Sequence, residues 1–318
     1  MPIDVLAIGE LLADLIGTEP ADGLADTERF DRFQGGSPAN LVRTLSLAGR
    51  HAALAASVGD DGLGRYLRRS LAERGVNTDY IRSIEGVPTS LVLLARSAGT
   101  AEFSVYRHAD TLIEPDHVPT AALRQARIIH TTCFALSRTP ARSTILDIAA
   151  RCGSAADGPD EGGANGLSAT LSIDANYAPS VGPDRSEARR IVQTFCSHAP
   201  LVKVSTDDLQ RLFAGPDEAP VDTDEAVQAL HAWGARLVCW TRGPAGSVVS
   251  WDGGRRREQV PAPDVEVVDA TGAGDAFWAG FLHAWLDEKS PPACARLGAS
   301  FAAKKLAQAG PLTSDLTA

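Results

Sequence analysis

Short apolar runs alternate with amphipathic stretches along most of this chain, the pattern of strands joined by crossover helices in a parallel sheet. Residues 5–8, 53–58, 128–131, 171–174, 201–204 and 237–241 read as strands. Residues 38–48, 63–74, 141–151, 186–197, 223–233 and 274–286 read as helices. Leu63, Leu67 and Leu71 recur at helical spacing and form one apolar face, which is core and not a binding surface. The expectation is an α/β fold, a parallel sheet flanked by helices.

Two stretches break the alternation. Residues 89–94 and 102–106 flank Ala98-Gly99-Thr100 and predict a hairpin inserted into the α/β order, a pair that could form a lid. Its apolar positions Leu91, Leu93, Phe103 and Val105 could be buried in a homodimer, or could pack on their own domain or close over a substrate. Residues 153–168 are rich in Gly, Ala, Asp and Pro and predict a mobile surface loop with no assigned function.

With 318 residues, 44% of them hydrophobic and 22% charged, the chain fits one domain, 1–318, carrying lid elements at approximately 15–34 and 88–110. The net charge of −10 argues against a broad nucleic-acid surface, and no apolar run approaches the ~20 residues needed to cross a bilayer. Met1-Pro2-Ile3-Asp4-Val5 enters a strand-like segment without a signal peptide, so a cytoplasmic location is expected. Cys133, Cys152, Cys196, Cys239 and Cys294 are odd in number and widely spaced, which predicts reduced, mostly buried thiols and no disulfide framework or zinc site.

The densest chemistry lies in Val267-Val268-Asp269-Ala270-Thr271-Gly272-Ala273-Gly274-Asp275-Ala276-Phe277. Gly272 and Gly274 allow a tight turn and close approach of backbone N–H groups to a ligand, and the apolar spacing from Phe277 onward puts Ala273 to Asp275 in the first helical turn. That turn favours phosphate. A carboxylate there repels a phosphate unless it takes a proton from the attacking group, which makes Asp275 a candidate general base; alternatively it caps a helix.

Asp14 follows the first strand and Gln34-Gly35-Gly36-Ser37-Pro38-Ala39-Asn40 precedes a helix; of these, Asp14, Gly35, Gly36 and Asn40 are candidates for holding several hydroxyls. Gly35-Gly36 reads equally as a plain turn. Val58-Gly59-Asp60-Asp61-Gly62-Leu63-Gly64 reads as a strand-to-helix connection. Lys203-Val204-Ser205-Thr206-Asp207-Asp208 follows a strand and opens a helix; Asp208 could hold magnesium through water, or could simply favour the helix start. Thr241-Arg242-Gly243-Pro244-Ala245-Gly246 places a hydroxyl and a tight turn at another strand end. Neither a Walker A pattern nor Gly-x-Gly-x-x-Gly occurs, which argues against a P-loop or dinucleotide enzyme.

In order, these motifs resemble the ribokinase-like (PfkB) carbohydrate kinases, from Gly9-Glu10 and Asp14 through Gly35-Gly36-Ser37-Pro38-Ala39-Asn40 and Val58 to Gly64, to Thr241 to Gly246 and Asp269-Ala270-Thr271-Gly272-Ala273-Gly274-Asp275. The resemblance implies a doubly wound α/β domain with a small β lid that uses ATP and magnesium to phosphorylate a sugar hydroxyl. It implies Asp275 as the base, with Gly272, Ala273, Gly274 and Asp275 forming the anion hole. It also implies Asp14, Gly35, Gly36 and Asn40 at the sugar, and Lys203, Ser205, Thr241, Gly243 and Gly246 at ATP. Ala299 falls where the family often has an asparagine beside the adenine. Many members use a potassium ion, and Asp269, Thr271 and Ser314 match that position.

Two departures bear on substrate. The magnesium-associated Asn-x-x-Glu is Ser205-x-x-Asp208 here, a variation that resembles fructokinase-like members, as do Glu10 and Tyr106-Arg107. Asp174-Ala175-Asn176-Tyr177-Ala178 lacks the arginine of Asp-x-Asn-x-Arg, which weakens the case for an acidic sugar, whose carboxylate favours a bidentate arginine. Arg107 on the lid could replace it in part, or could be an exposed strand residue. The leading expectation is a fructokinase-like sugar kinase. The alternatives are a nucleoside kinase, a 2-keto-3-deoxygluconate kinase and a sugar-sensing protein without turnover.

Overall fold

The computed structural model describes residues 2–96, 102–153, 166–214, 219–308, 310, 312 and 316. The turn at residues 98–100, most of the loop at 153–168, and Ser314 lie outside them. In chain order the elements are β1 Ile3–Ile8, β2 Leu12–Pro20, β3 Phe30–Gly35, α1 Ser37–Leu47, β4 Ala52–Gly59, α2 Gly62–Ala72, β5 Ile81–Ile84, β6 Leu91–Arg96 and β7 Phe103–Tyr106. They continue with α3 Thr120–Gln125, β8 Ala126–Thr132, α4 Ala141–Gly153, β9 Thr170–Asp174, α5 Arg185–Cys196, β10 Leu201–Ser205, α6 Thr206–Phe213 and α7 Thr223–Ala232. The last are β11 Leu237–Thr241, β12 Ser247–Trp251, β13 Arg256–Val260, α8 Ala273–Leu286 and α9 Pro291–Leu306.

The large sheet runs β13-β12-β11-β10-β9-β8-β1-β4-β5, parallel from β11 to β5, with β12 and β13 added antiparallel at one edge. Both faces are covered by helices, and the period-two alternation of each strand divides its side chains between two cores. In β1, Leu6 and Ile8 join the core that holds Ile145 of α4 and Leu209 of α6, while Val5 and Ala7 join the core that holds Leu41 of α1 and Trp278 of α8. The six sequence-derived strands all lie in this sheet. The edge pair β12–β13 and helix α9 were not expected. Residues 265–268 are irregular and not a strand, because the chain there runs to the last turn of α9, where Val268 N donates to Leu306 O at 2.8 Å.

A second, small sheet runs β3-β2-β6-β7. β6 and β7 pair antiparallel as a hairpin, and β2 pairs antiparallel with β3 and parallel with β6. It leaves the large sheet at Leu12, just past the carboxyl end of β1. Among the described residues no helix is long and apolar enough to cross a membrane. All five cysteines are buried and unpaired with one another.

Parallel pairing puts the carboxyl ends of the central strands in one row: Thr132 opposite Asp174, Asp174 opposite Lys203, and Ser205 opposite Thr241. Polar side chains at strand ends are thereby gathered at one rim, where open α/β sheets place their ligands.

Candidate active site

Helix α8 begins at this rim. Its cap, Gly272, sits at φ 76°, a left-handed conformation that glycine adopts without the steric cost other residues meet. Asp275 lies in the first turn. Its Oδ1 accepts from Ser37 Oγ at 2.7 Å and its Oδ2 from Asn40 Nδ2 at 2.9 Å, both donors coming from the start of α1. Burial raises the pKa of Asp275, while Ser37, Asn40 and the nearby Lys203 ammonium pull it down. In the expected anion hole, the Ala273 amide turns inward to Ala270 O at 3.1 Å. Among the described residues the amides of Gly272, Gly274 and Asp275 have no such partner, so the free donors are these three and not all four.

Asp14 stands on β2 between Phe33 and Val92 of the neighbouring strands. Burial first, and the Asp275 carboxylate second, raise its pKa to about 7. A Cβ on Gly35 would lie 2.3 Å from Asp14 Oδ2, and one on Gly36, at φ 98°, would lie 2.3 Å from Glu10 O. The glycine pair is thus a close-approach device, more than a turn. Gln34 Nε2 donates to Asn40 Oδ1 at 3.1 Å, which fixes the amide so that its nitrogen faces Asp275. Asp14, Asn40 and Gly272 share a cavity of about 40 Å³.

Behind the site, Glu10 is buried and accepts from Ser37 N at 3.2 Å and Thr132 Oγ1 at 2.8 Å. Burial outweighs these bonds and raises its pKa to about 8. Lys203 is buried with Nζ 2.6 Å from Asp174 Oδ2 and lies beside Gly274, where a Cβ would approach Nζ to 3.1 Å. Burial disfavours its charge, but Asp174, Asp208 and Asp275 outweigh that and raise its pKa.

Thr241, Gly243, Gly246 and Ala299 line a second, larger cleft of about 660 Å³ together with Ala273 and Gly274. Its walls are mostly apolar, including Val267, Phe277 and Leu306, which suits a flat aromatic base, while Gly274 links it to the Asp275 turn. The two cavities therefore meet at the N-terminus of α8.

Ser205 and Asp208 form a reciprocal cap on α6: Asp208 N donates to Ser205 Oγ at 3.1 Å, and Ser205 N donates to Asp208 Oδ2 at 3.0 Å. That is the helix-start role the sequence allowed for Asp208. Asp174 Oδ1 is buried without a hydrogen bond in the same carboxylate cluster, a donor set that fits a hydrated magnesium ion. Among the described residues no group of three or more His, Cys, Asp or Glu could hold a metal directly.

Arg107 is neither exposed nor uncommitted. Its guanidinium donates to Asp110 Oδ2 from Nε at 2.8 Å and from Nη2 at 2.5 Å, contacts Ser137 Oγ, and lies 3.9 Å over the Phe134 ring. Tyr106, by contrast, is half exposed on the β7 edge. At the expected potassium position, Asp269 Oδ1 accepts from Thr271 N at 2.9 Å, but the Lys305 ammonium lies 3.1 Å from both Asp269 O and Asp269 Oδ2. Those oxygens are already held by a cation of the chain itself, so they do not fit a potassium ion. Ser37, Gln34 and Lys305 had no assigned role in the sequence reading. Ser37 and Gln34 lie within the Gln34–Asn40 motif; nothing local marks Lys305.

A model of the pfkB family of carbohydrate kinases matches residues 3–318. The chain is 30% identical over 308 residues to the ATP-dependent 6-phosphofructokinase of Thermoanaerobacterium thermosaccharolyticum, covering 96% of this chain and 89% of that protein. It is 31% identical over 289 residues to the probable fructokinase-4 of Arabidopsis thaliana, covering 90% and 83%. Among solved structures, a sugar kinase from Pyrococcus horikoshii in complex with ATP superposes with a TM-score of 0.83 at 25% identity, covering 98% of this chain and 95% of that one.

Proposed function

The chain belongs to the pfkB family of carbohydrate kinases and is a phosphotransferase acting on a sugar hydroxyl; on that premise we propose that it phosphorylates a neutral ketose, fructose first, with Asp275 as general base. What carries the proposal is Asp275 itself. A carboxylate held by Ser37 and Asn40 at the positive end of α8, with a nucleotide-sized cleft on one side and Asp14 on the other, is placed to take a proton in the path of phosphoryl transfer.

In this reading Asp14 and Asn40 hold the sugar hydroxyls. The attacking hydroxyl gives its proton to Asp275 as its oxygen bonds to the γ-phosphorus and the bond to the β,γ-bridging oxygen breaks. Both Asp275 oxygens already accept one bond, and a carboxylate has capacity for about four, so the substrate proton finds a free lone pair. The amides of Gly272, Gly274 and Asp275 stabilise charge on the transferring group, an effect worth about 3 kcal/mol per donor in comparable holes. Magnesium, bound to ATP and held through water by Asp208, would neutralise phosphate charge. The four-stranded sheet closes over the sugar and excludes water, and its half-exposed β7 edge, with Phe103 and Tyr106, is where a homodimer would form. A cytoplasmic setting is compatible with ATP use.

The 6-phosphofructokinase relative favours a second reading, in which the acceptor already carries a phosphate. Against it, Arg43 donates to Leu312 O, Arg107 is paired with Asp110, Lys203 with Asp174 and Lys305 with Asp269. Arg107, Lys203 and Lys305 are thus committed to carboxylates, and Arg43, whose Nε is buried without a partner beside the small cavity, is the cation an acceptor phosphate would have to recruit. Comparing kcat/KM for fructose and fructose 6-phosphate decides between them: a preference for fructose supports the proposal, and a preference for the phosphorylated sugar overturns it in favour of the second reading.

A further inference from the structure

Lys305 lies in the last turn of α9 with its side chain 4% exposed. A buried ammonium needs partners, and this one has three oxygens: Asp269 O and Oδ2 at 3.1 Å each and Gln308 O at 3.5 Å. The carboxylate it meets is organised in turn, with Oδ1 accepting from Thr271 N and Oδ2 also accepting from Gly310 N at 3.0 Å. Asp269 N and Val268 N both donate to Leu306 O. The segment that leads into the Gly272 turn is thus tied at several points to the end of α9, with one fixed positive charge at the centre of the knot. Lys305 also lines the small cavity shared by Asp14, Asn40 and Gly272.

We propose that Lys305 is a tethered internal cation that positions the Asp269–Thr271 loop and, through it, the anion turn of α8, so that turnover is independent of bound monovalent ions. The proposal rests on the kinase reading above. A free ion entering this oxygen set would have to displace an ammonium already bonded there or sit beside a like charge, and either is unfavourable. The end of a helix adds to the preference for a cation, since unpaired carbonyls give it partial negative charge. Lys305 is a positioning residue: it acts on the reacting phosphate only through Asp269 and Gly272.

The test uses the full chain in potassium chloride and in tetramethylammonium chloride at equal ionic strength. The wild type is expected to show the same ADP release rate and the same thermal midpoint in both salts. Lys305→Ala, which opens space at Asp269, is expected to lose turnover about 100-fold in tetramethylammonium, the scale of loss from misplaced catalytic geometry, and to regain much of it in potassium. Lys305→Met, which fills that space without charge, is expected to stay impaired in both. A purely structural lysine would give no ion-specific rescue. Potassium stimulation of the wild type, or full activity of either variant without potassium, overturns the proposal. Turnover and midpoint together separate the two claims: absent turnover in every salt defeats the kinase reading, whereas a potassium-specific rise in the wild-type midpoint defeats this one.

Discussion

Asn40 donates its amide nitrogen to Asp275 Oδ2 at 2.9 Å, joining the first turns of α1 and α8 across 235 positions of sequence. The amide is turned that way by Gln34, whose Nε2 holds Asn40 Oδ1. The proposed base and the proposed sugar-binding end of the small sheet are therefore joined by one hydrogen-bonded chain, Gln34 to Asn40 to Asp275.

Two substitutions separate Asp275 from its neighbour. The Asn40 hydrogen bond lowers the pKa of Asp275, so Asn40→Ala should move the acid limb of the kcat profile to higher pH. The Asp275 charge raises the pKa of Asp14, whereas Asp275 is shifted by burial, Ser37, Asn40 and Lys203 and not by Asp14, so Asp14→Asn should leave that limb in place. No upward shift for Asn40→Ala, or an equal shift for Asp14→Asn, read from pH–rate profiles, would contradict the assignment of that limb to Asp275.

Gly35 lies against the Asp14 carboxylate, with no room for a side chain. Gly35→Ala should displace Asp14 and raise the KM for sugar by about tenfold or more, the loss of one charged hydrogen bond, with the KM for ATP unchanged. Steady-state kinetics with each substrate varied in turn checks it.

Ala299 forms part of the apolar wall of the larger cleft. Ala299→Phe should fill the space proposed for the adenine and raise the KM for ATP while leaving the apparent affinity for sugar near its wild-type value. An unchanged ATP KM would place the nucleotide elsewhere.

Glu10 provides a stability test. Its ordinary value of 4.5 applies in the unfolded chain and about 8 in the folded one, so the unfolded state loses its proton first as pH rises. Glu10 therefore weighs increasingly against folding between about pH 4.5 and 8, with no cost below that window and a constant cost above it. Glu10→Gln should flatten the fall in stability across this window, as read from urea midpoints at several pH values; an unchanged slope would show that Glu10 is ionised in the folded protein.

Much of this was legible in the sequence because the relevant signals are local. Apolar runs marked the six inner strands, and the sequence Asp269 to Asp275 marked a helix start, where the anion site is proposed. Pairing of residues far apart was not legible. Lys305 sits on a helix with no motif around it, and only the packing of α9 against α8 brings it to Asp269. Arg107 read as an exposed strand residue or a substrate ligand because nothing in the order Arg107, His108, Ala109, Asp110 shows that a short helical turn folds Asp110 back onto it. Strand β13, Arg256-Arg257-Glu258-Gln259-Val260, has too few apolar positions to look like a strand, and it forms because β12 offers it an antiparallel edge.

The central claim is tested most directly by the ADP release rate of purified wild type and Asp275→Asn with fructose, ATP and magnesium. The account predicts saturable turnover by the wild type and a fall in kcat of about 10²–10⁴-fold in the variant, the usual contribution of a general base, with fructose and ATP still bound. A variant that turns over fructose at the wild-type rate would contradict it.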